Sequence, residues 1–267
     1  MTTLLRAPKA TSFFLVLGRE VLVLTALVGG VTQLAWRTVR TLFRYRWDWK
    51  EILRQCFFVG NRSVPIVVLI AAFTGMVLAL QFTVGLARFG LKLYTGQIVG
   101  LAIARELGPV LTSLMIAARV ASGIAAELGS MMVTEQVLAI EAMGANPVHK
   151  LVAPRLIATM VMTPILAIAA DVIGILGGMV IAMMEAKVTA HFYLKQIVET
   201  VSVEDFLHGI GKTVVFAFCI AMIACYQGLR THGGTEGVGR STTRAVVYAS
   251  IVIFISDFFL TKLFIIL

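Results

Sequence analysis

The sequence predicts an all-α integral membrane protein, and three observations carry that reading. Apolar residues make up 59% of the 267 residues. Charged residues make up only 14%, against roughly 25% in an ordinary soluble domain. Mean hydropathy is +0.93, and the apolar residues collect in stretches able to cross a bilayer, which takes ~20 consecutive residues per helix. A chain of this length folds as one domain or two. So much of it is apolar stretch that one membrane domain is the economical reading.

Residues 1–10 are polar. Residues 11–45 read as an amphipathic, partly inserted helix. Its longest charge-free run, Val21 to Trp36, has 16 residues and includes Gly29, Gly30 and Gln33. That is short for a perpendicular span, and Arg37 follows at once. The expectation is an N-terminal interfacial or re-entrant helix over 1–45 in the cytoplasmic leaflet, with a sixth full span as the alternative. A five-span domain then fills 46–267.

Its first clear span is Val64–Ala87, 24 residues without a charge. The link Arg88–Tyr94 leads to a helical segment from Gly96 to Met132, and its 37 residues would measure roughly 55 Å. The Gly108–Pro109 pair is expected to kink or break it. Polar residues 133–155 follow. Then come spans at Leu156–Met184, Phe206–Leu229 and Ala245–Phe264. A polar stretch around Lys187–Asp205 separates the first two of these, and a Gly-rich basic loop, Arg230–Arg244, separates the last two.

Net charge is +9, and seven of the 23 Lys/Arg residues lie between Arg37 and Arg62. A basic cluster beside an apolar span marks a cytoplasmic edge meeting anionic headgroups rather than a nucleic-acid surface. Segments 37–62, 133–155 and 230–244 carry 7, 2 and 3 Lys/Arg; segments 88–94 and 185–212 carry 2 and 3. The positive-inside rule puts the first set in the cytoplasm, with the N-terminus cytoplasmic and the C-terminus external. Cys56, Cys219 and Cys225 lack metal-ligand or CxxC spacing, and the four histidines are scattered, so no metal site is expected. Arg19 and Glu20 interrupt the early apolar run, so no cleavable signal is expected.

The second span carries most of the information. Ala117, Ala121, Ala125 and Gly129 recur every four residues, and so do Ala118, Ser122, Ala126 and Ser130. Such stripes admit another helix backbone at close range, either within the chain or across a dimer. Arg105, Glu106, Arg119 and Glu127 lie in the same helix, where charges face a polar cavity or a partner. Arg105 and Arg119 are 14 residues apart, which at 100° per residue returns them to nearly one face. Asp171 and Asp257, in later spans, read as structural partners. In 134–147, TEQVLAIEAMGANP, Thr134 can cap a helix, Glu135 complements its positive end, and Gly144 with Asn146–Pro147 terminates it. Gly209-Ile-Gly211-Lys212-Thr213 imitates a phosphate loop, but Phe206 stands where that loop needs glycine and an apolar span follows. Gly233–Gly239 likewise reads as a flexible loop.

The segments ARELGPVLTSLMIAARVASGIAAELGSM (104–131), TEQVLAIEAMGANPVHKLVAPR (134–155) and GVGRSTTRAVV (237–247) resemble the MlaE (YrbE-type) permease family, from about residue 50 to the end. The resemblance implies an ABC-exporter-like permease with a cytoplasmic coupling helix. It implies a homodimer in the bacterial inner membrane that moves phospholipids to or from an MCE-domain protein on the periplasmic side, so maintaining outer-membrane lipid asymmetry. ATP would be bound and hydrolysed by a separate ABC ATPase, in some systems with a STAS-domain protein on it, and the chain itself would carry no cofactor. The coupling helix corresponds to 134–147, with Thr134, Glu135, Gln136, Glu141, Gly144, Asn146 and Pro147 in that motif. Arg105 and Glu106 correspond to the pair bordering an outward-facing lipid cavity. By position Leu78, Leu86 and Leu107 would line its apolar part.

The residues argue against two other functions. A stand-alone secondary transporter or channel would show inverted repeats and matched broken helices, and no convincing internal repeat is present. A membrane-embedded enzyme would need a nucleophile–base pair or a metal cluster, and the sequence offers neither.

Overall fold

A computed structural model of the chain describes residues 9–44 and 47–266. The helices are α1 (Lys9–Arg44), α2 (Trp49–Gly60), α3 (Val64–Ala87), α4 (Thr95–Ala102), α5 (Gly108–Ile116), α6 (Ser122–Val133), α7 (Gln136–Ala142), α8 (Ala153–Glu185), α9 (Ala190–Thr200), α10 (Val203–Leu229) and α11 (Gly234–Ile266). No strand occurs among the described residues. Among the described residues, five helical runs are long and apolar enough to cross a bilayer: Trp49–Ala87, Lys92–Val133, Val148–Glu185, Val203–Leu229 and Gly234–Phe264. They contain the five expected spans. α1 is one unbroken helix of 36 residues and is not among the five.

Of the expected kink or break at Gly108–Pro109, the break does not occur: Lys92–Val133 is one helical run. The turn Ile103–Leu107 just before that pair is a π-turn, in which the Gly108 N–H reaches back five residues to the Ile103 carbonyl. Widening the helix there accommodates a proline ring that a regular α-turn would reject. A second π-turn spans Ala117–Ala121. The two together upset the count of 100° per residue, and Arg105 and Arg119 do not share a partner. Arg105 meets Asp205 on α10, whereas Arg119 donates to the Arg62 carbonyl just ahead of α3.

Two of the segments between spans, 37–62 and 230–244, are largely helical. Residues 49–60 form α2, capped by the Asp48 side chain, which accepts from the Glu51 N–H at 3.4 Å. Ile52, Gln55 and Val59 are buried, and the helix packs on α8. The Gly-rich basic loop shrinks to residues 230–233: α11 begins at Gly234, and Gly233 and Gly234 take positive φ (91° and 66°) to make the turn into it. Gly237 and Gly239 lie inside the helix, so that segment is not a flexible loop.

Packing follows residue size. α3 and α8 cross most intimately, because a Cβ on Gly75 would overlap the Gly174 carbonyl and one on Gly177 would press on Ala72. α10 is the central post: Ile220 to Gly228 are all buried, against α1, α6, α8 and α11. The two small-residue stripes of the second span separate. Ala117, Ala121, Ala125 and Gly129 are buried within the chain, where Gly228 meets the Leu128 Cβ and Ala125. Ala118 and Ser130 are exposed, and Ser122 and Ala126 half-buried. Apolar side chains such as Phe73 and Val84 on α3, Val172 and Val180 on α8, and Phe254 and Phe258 on α11 face outward, as lipid-facing surfaces require.

Candidate functional site

Arg105 and Glu106 sit in the π-turn, and α10 is laid directly against it. A Cβ on Gly209 would overlap the Ala104 carbonyl, so only glycine lets α10 come this close. The start of α10 is fixed by a capping box. Ser202 Oγ accepts from the Asp205 N–H (3.1 Å), and the Asp205 carboxylate accepts from the Ser202 N–H (3.0 Å). The same Asp205 oxygen pair is thereby aimed at the guanidinium of Arg105, whose Nε lies 2.6 Å from Oδ1.

About two helical turns further along α10, Lys212 serves the other member of the pair. Its Nζ lies 2.7 Å from Glu106 Oε1, 3.2 Å from Asp257 Oδ1 and 2.7 Å from Thr261 Oγ1. Thr261 in turn donates to Glu106 (3.1 Å). The exposures divide by role. The side chains of Arg105 and Glu106 are 49% and 39% exposed, whereas those of Asp205 and Lys212 are 7% and 2%. Each outward-facing charge is thus clamped by a buried charge of opposite sign. The two face a cleft of about 360 Å³ whose far wall is His208 stacked on Phe264, ring centroids 4.5 Å apart.

The leucines lie elsewhere in the single chain. Leu107 lines a separate apolar pocket with Val67, Ile70, Leu111 and Met115. Leu78 packs on Ala79, Val99 and Ile103, and Leu86 is half-buried near the end of α3. Neither Leu78 nor Leu86 lines the charged cleft.

The 134–147 segment forms a short helix between two spans, with capping that differs from expectation. Thr134 closes α6, its Oγ1 donating to the Ser130 carbonyl (2.9 Å), instead of opening α7. Glu135 occupies the N-cap of α7 in the left-handed region (φ 59°) without a side-chain cap bond. Gln136 begins the helix, and Glu141 lies in its last turn. Gly144 (φ 76°) ends it: its N–H bonds Glu141, and the Ala145 N–H bonds Ile140. Asn146 and Pro147 belong to the next element, the Asn146 side chain accepting from the Val148 N–H (3.0 Å). An ion pair braces the flanks: Glu127 on α6 meets Arg155 on α8 at 2.9 Å, with Arg155 3% exposed.

Residues 52–263 match the family described as "Permease MlaE". The chain belongs to the MlaE permease family. It is 38% identical over 247 residues to a "Probable ABC transporter permease protein" of Rickettsia felis, covering 92% of this chain and 95% of that one. It is 37% identical over 213 residues to the "Intermembrane phospholipid transport system permease protein MlaE" of Haemophilus influenzae, covering 79% and 82%. A third relative is "Protein TRIGALACTOSYLDIACYLGLYCEROL 1, chloroplastic" of Arabidopsis thaliana, 33% identical over 231 residues, covering 86% and 66%.

The MlaE-family motif containing Arg105 and Glu106 drew attention to that pair, but the charges that hold it escaped the sequence reading. In the sequence Asp205 reads as the end of a polar connection, and Lys212 as part of a false phosphate loop. The signal was present: Lys212 falls inside the apolar run Phe206–Leu229, and a cation at such depth calls for a partner. Asp257 was read as a structural partner, and it meets Lys212.

Proposed function

We propose that this MlaE-family permease is the membrane subunit of an ABC transporter for phospholipids. In this reading two copies form a homodimer in the inner membrane and move lipid between that membrane and an MCE-domain protein, sustaining outer-membrane asymmetry. The 134–147 segment is the coupling element for a separate ATPase, with α7 at its centre. Basic segments face the cytoplasm, so the charged cleft lies on the periplasmic side.

The observation that carries the reading is the split exposure of the charged cleft. Arg105 and Glu106 are held half-exposed by the buried Asp205 and Lys212. Oriented and prepaired in this way, the Arg105 guanidinium keeps donors for a phosphate, since its contacts with Asp205 use Nε and Nη2. Glu106 suits the ammonium of a zwitterionic headgroup. Acyl chains need burial without directional contacts, and Leu78, Leu86 and Leu107 would provide that wall in the dimer.

The test is lipid content of the purified chain. Arg105→Gln alone strands the buried Asp205, so Arg105→Gln/Asp205→Asn is measured beside it. Both are expected to lower co-purified phospholipid and transport while insertion and ATPase association stay as in the wild type. Unchanged lipid content with collapsed assembly would make the cluster a purely structural brace.

A further inference from the structure

The opposite end of the molecule holds a second cavity with a different design. α1 lies along α10, fastened where the Tyr226 hydroxyl donates to the Ala26 carbonyl (3.3 Å). Beyond that point α1, α7 and the end of α10 enclose a cleft of about 590 Å³. Arg37, Arg40 and Arg44, spaced three and four residues apart on one helix face, form one wall. Leu34, Val137 and Leu229 form an apolar floor. None of the three arginines has an ion-pair partner among the described residues, and Glu141, which shares the cleft, is not within pairing distance.

A second cavity of about 580 Å³ continues from it, sharing Leu34, Arg37 and Leu229. This one runs back along α1 past Gly29 and Gly30. Nothing lies within 4 Å of a Cβ placed on Gly29, so the groove is open there. Arg230 stands at the junction, fixed by a hydrogen bond to the Tyr226 hydroxyl and by stacking over that ring. The combined shape is a basic mouth level with the end of span α10, joined to a groove that runs beside that span.

We propose that this groove binds one anionic phospholipid of the leaflet bordering the basic end, its phosphate between Arg37, Arg40 and Arg44 and an acyl chain along Gly29 and Leu34. Charge complementarity and depth select this occupant. Unpaired arginines at the end of a span lie in the headgroup layer, where anionic lipid is the prevailing counter-charge. An acidic segment of a protein partner would match the basic wall but would leave the groove beside α10 unused. A free phosphate would leave it unused too. The site lies at the far end of the spans from Arg105 and Glu106 and does not depend on the transport reading.

The full chain, purified in a neutral detergent, is titrated with phosphatidylglycerol or phosphatidylcholine and its bound lipid counted by native mass spectrometry. Phosphatidylglycerol is expected to be preferred. Arg37→Gln/Arg40→Gln/Arg44→Gln should erase that preference, by roughly fivefold per arginine and about a hundredfold in all. These side chains point outward, so the fold is expected to survive. Gly29→Leu, which fills the groove and leaves the charge alone, should lower phosphatidylglycerol binding in its own right. Arg105→Gln/Asp205→Asn should lower the count of both lipids alike and leave the preference for phosphatidylglycerol intact, which separates this site from the charged cleft. The proposal fails if the two lipids bind alike or if the triple variant keeps its preference. It fails equally if Gly29→Leu has no effect or if glycerol 3-phosphate displaces the lipid at equal concentration, the mark of a bare phosphate site.

Discussion

Replacing Lys212 by methionine keeps most of the unbranched side chain, one atom shorter, and removes its charge. Lys212 is 2% exposed, with Glu106 at 2.7 Å, Asp257 at 3.2 Å, Thr261 at 2.7 Å and the Arg105 carbonyl at 3.2 Å. An ammonium has three donors, so every proton is engaged and one cation neutralises part of two carboxylates. The substitution leaves Glu106 and Asp257 facing each other without it. Breaking such a buried pair costs about 3–5 kcal/mol. Because the Glu106 side chain is 39% exposed, water compensates in part and the low end, about 3 kcal/mol, is expected. Glu106→Gln should cost only about 1 kcal/mol, since its amide oxygen still accepts from Lys212 and the Lys212–Asp257 pair survives. The triple variant Lys212→Met/Glu106→Gln/Asp257→Asn removes all three charges together and should recover most of the loss. Thermal unfolding of the detergent-solubilised chain, read as the monodisperse fraction after heating, ranks the variants. The reasoning is refuted if Lys212→Met is no less stable than Glu106→Gln, or if the triple variant is worse than Lys212→Met alone.

Gly75→Leu should abolish accumulation of folded protein, costing more than about 3 kcal/mol by overpacking the α3–α8 crossing, while Gly29→Ala should be nearly neutral; fluorescence-detected size exclusion reads both. Glu135→Lys/Glu141→Lys should weaken association with the partner ATPase on pull-down without affecting insertion, and an unchanged ATPase yield would count against α7 as the coupling element. With Cys56, Cys219 and Cys225 replaced by alanine, cysteines at the exposed positions Phe89 and Met143 should label from opposite sides of the membrane, Met143 from the cytoplasm. Labelling of both from one side would overturn the span count.

The spans were legible because bilayer thickness and a 1.5 Å rise leave little freedom to a long charge-free run; Val64–Ala87 begins and ends where the run does. The α2 segment was missed for the opposite reason. Its charges, Lys50, Glu51 and Arg54, disguise a helix whose Ile52, Gln55 and Val59 are spaced for burial. The start of α11 was hidden by four glycines, although only Gly233 and Gly234 use positive φ. At the cleft, local sequence marked Arg105 and Glu106, but their partners lie 100 and 106 residues away by chain separation. No periodicity links residues that distant, and the one usable clue was the burial cost of an unpartnered lysine.

The Glu127–Arg155 pair has a mechanical consequence. Arg155 also donates to the Leu151 carbonyl (2.6 Å), so it grips both α6 and the first turns of its own helix. The connection containing α7 is therefore anchored at both feet, like a stirrup. A force applied to α7 has no slack to take up: it loads α6 and α8 together. α8 is pressed against α3 through glycine-tight crossings, and α6 leads back through the second π-turn and α5 to the π-turn that holds Arg105 and Glu106. The path from α7 to the cleft therefore runs through helical turns and not through loops.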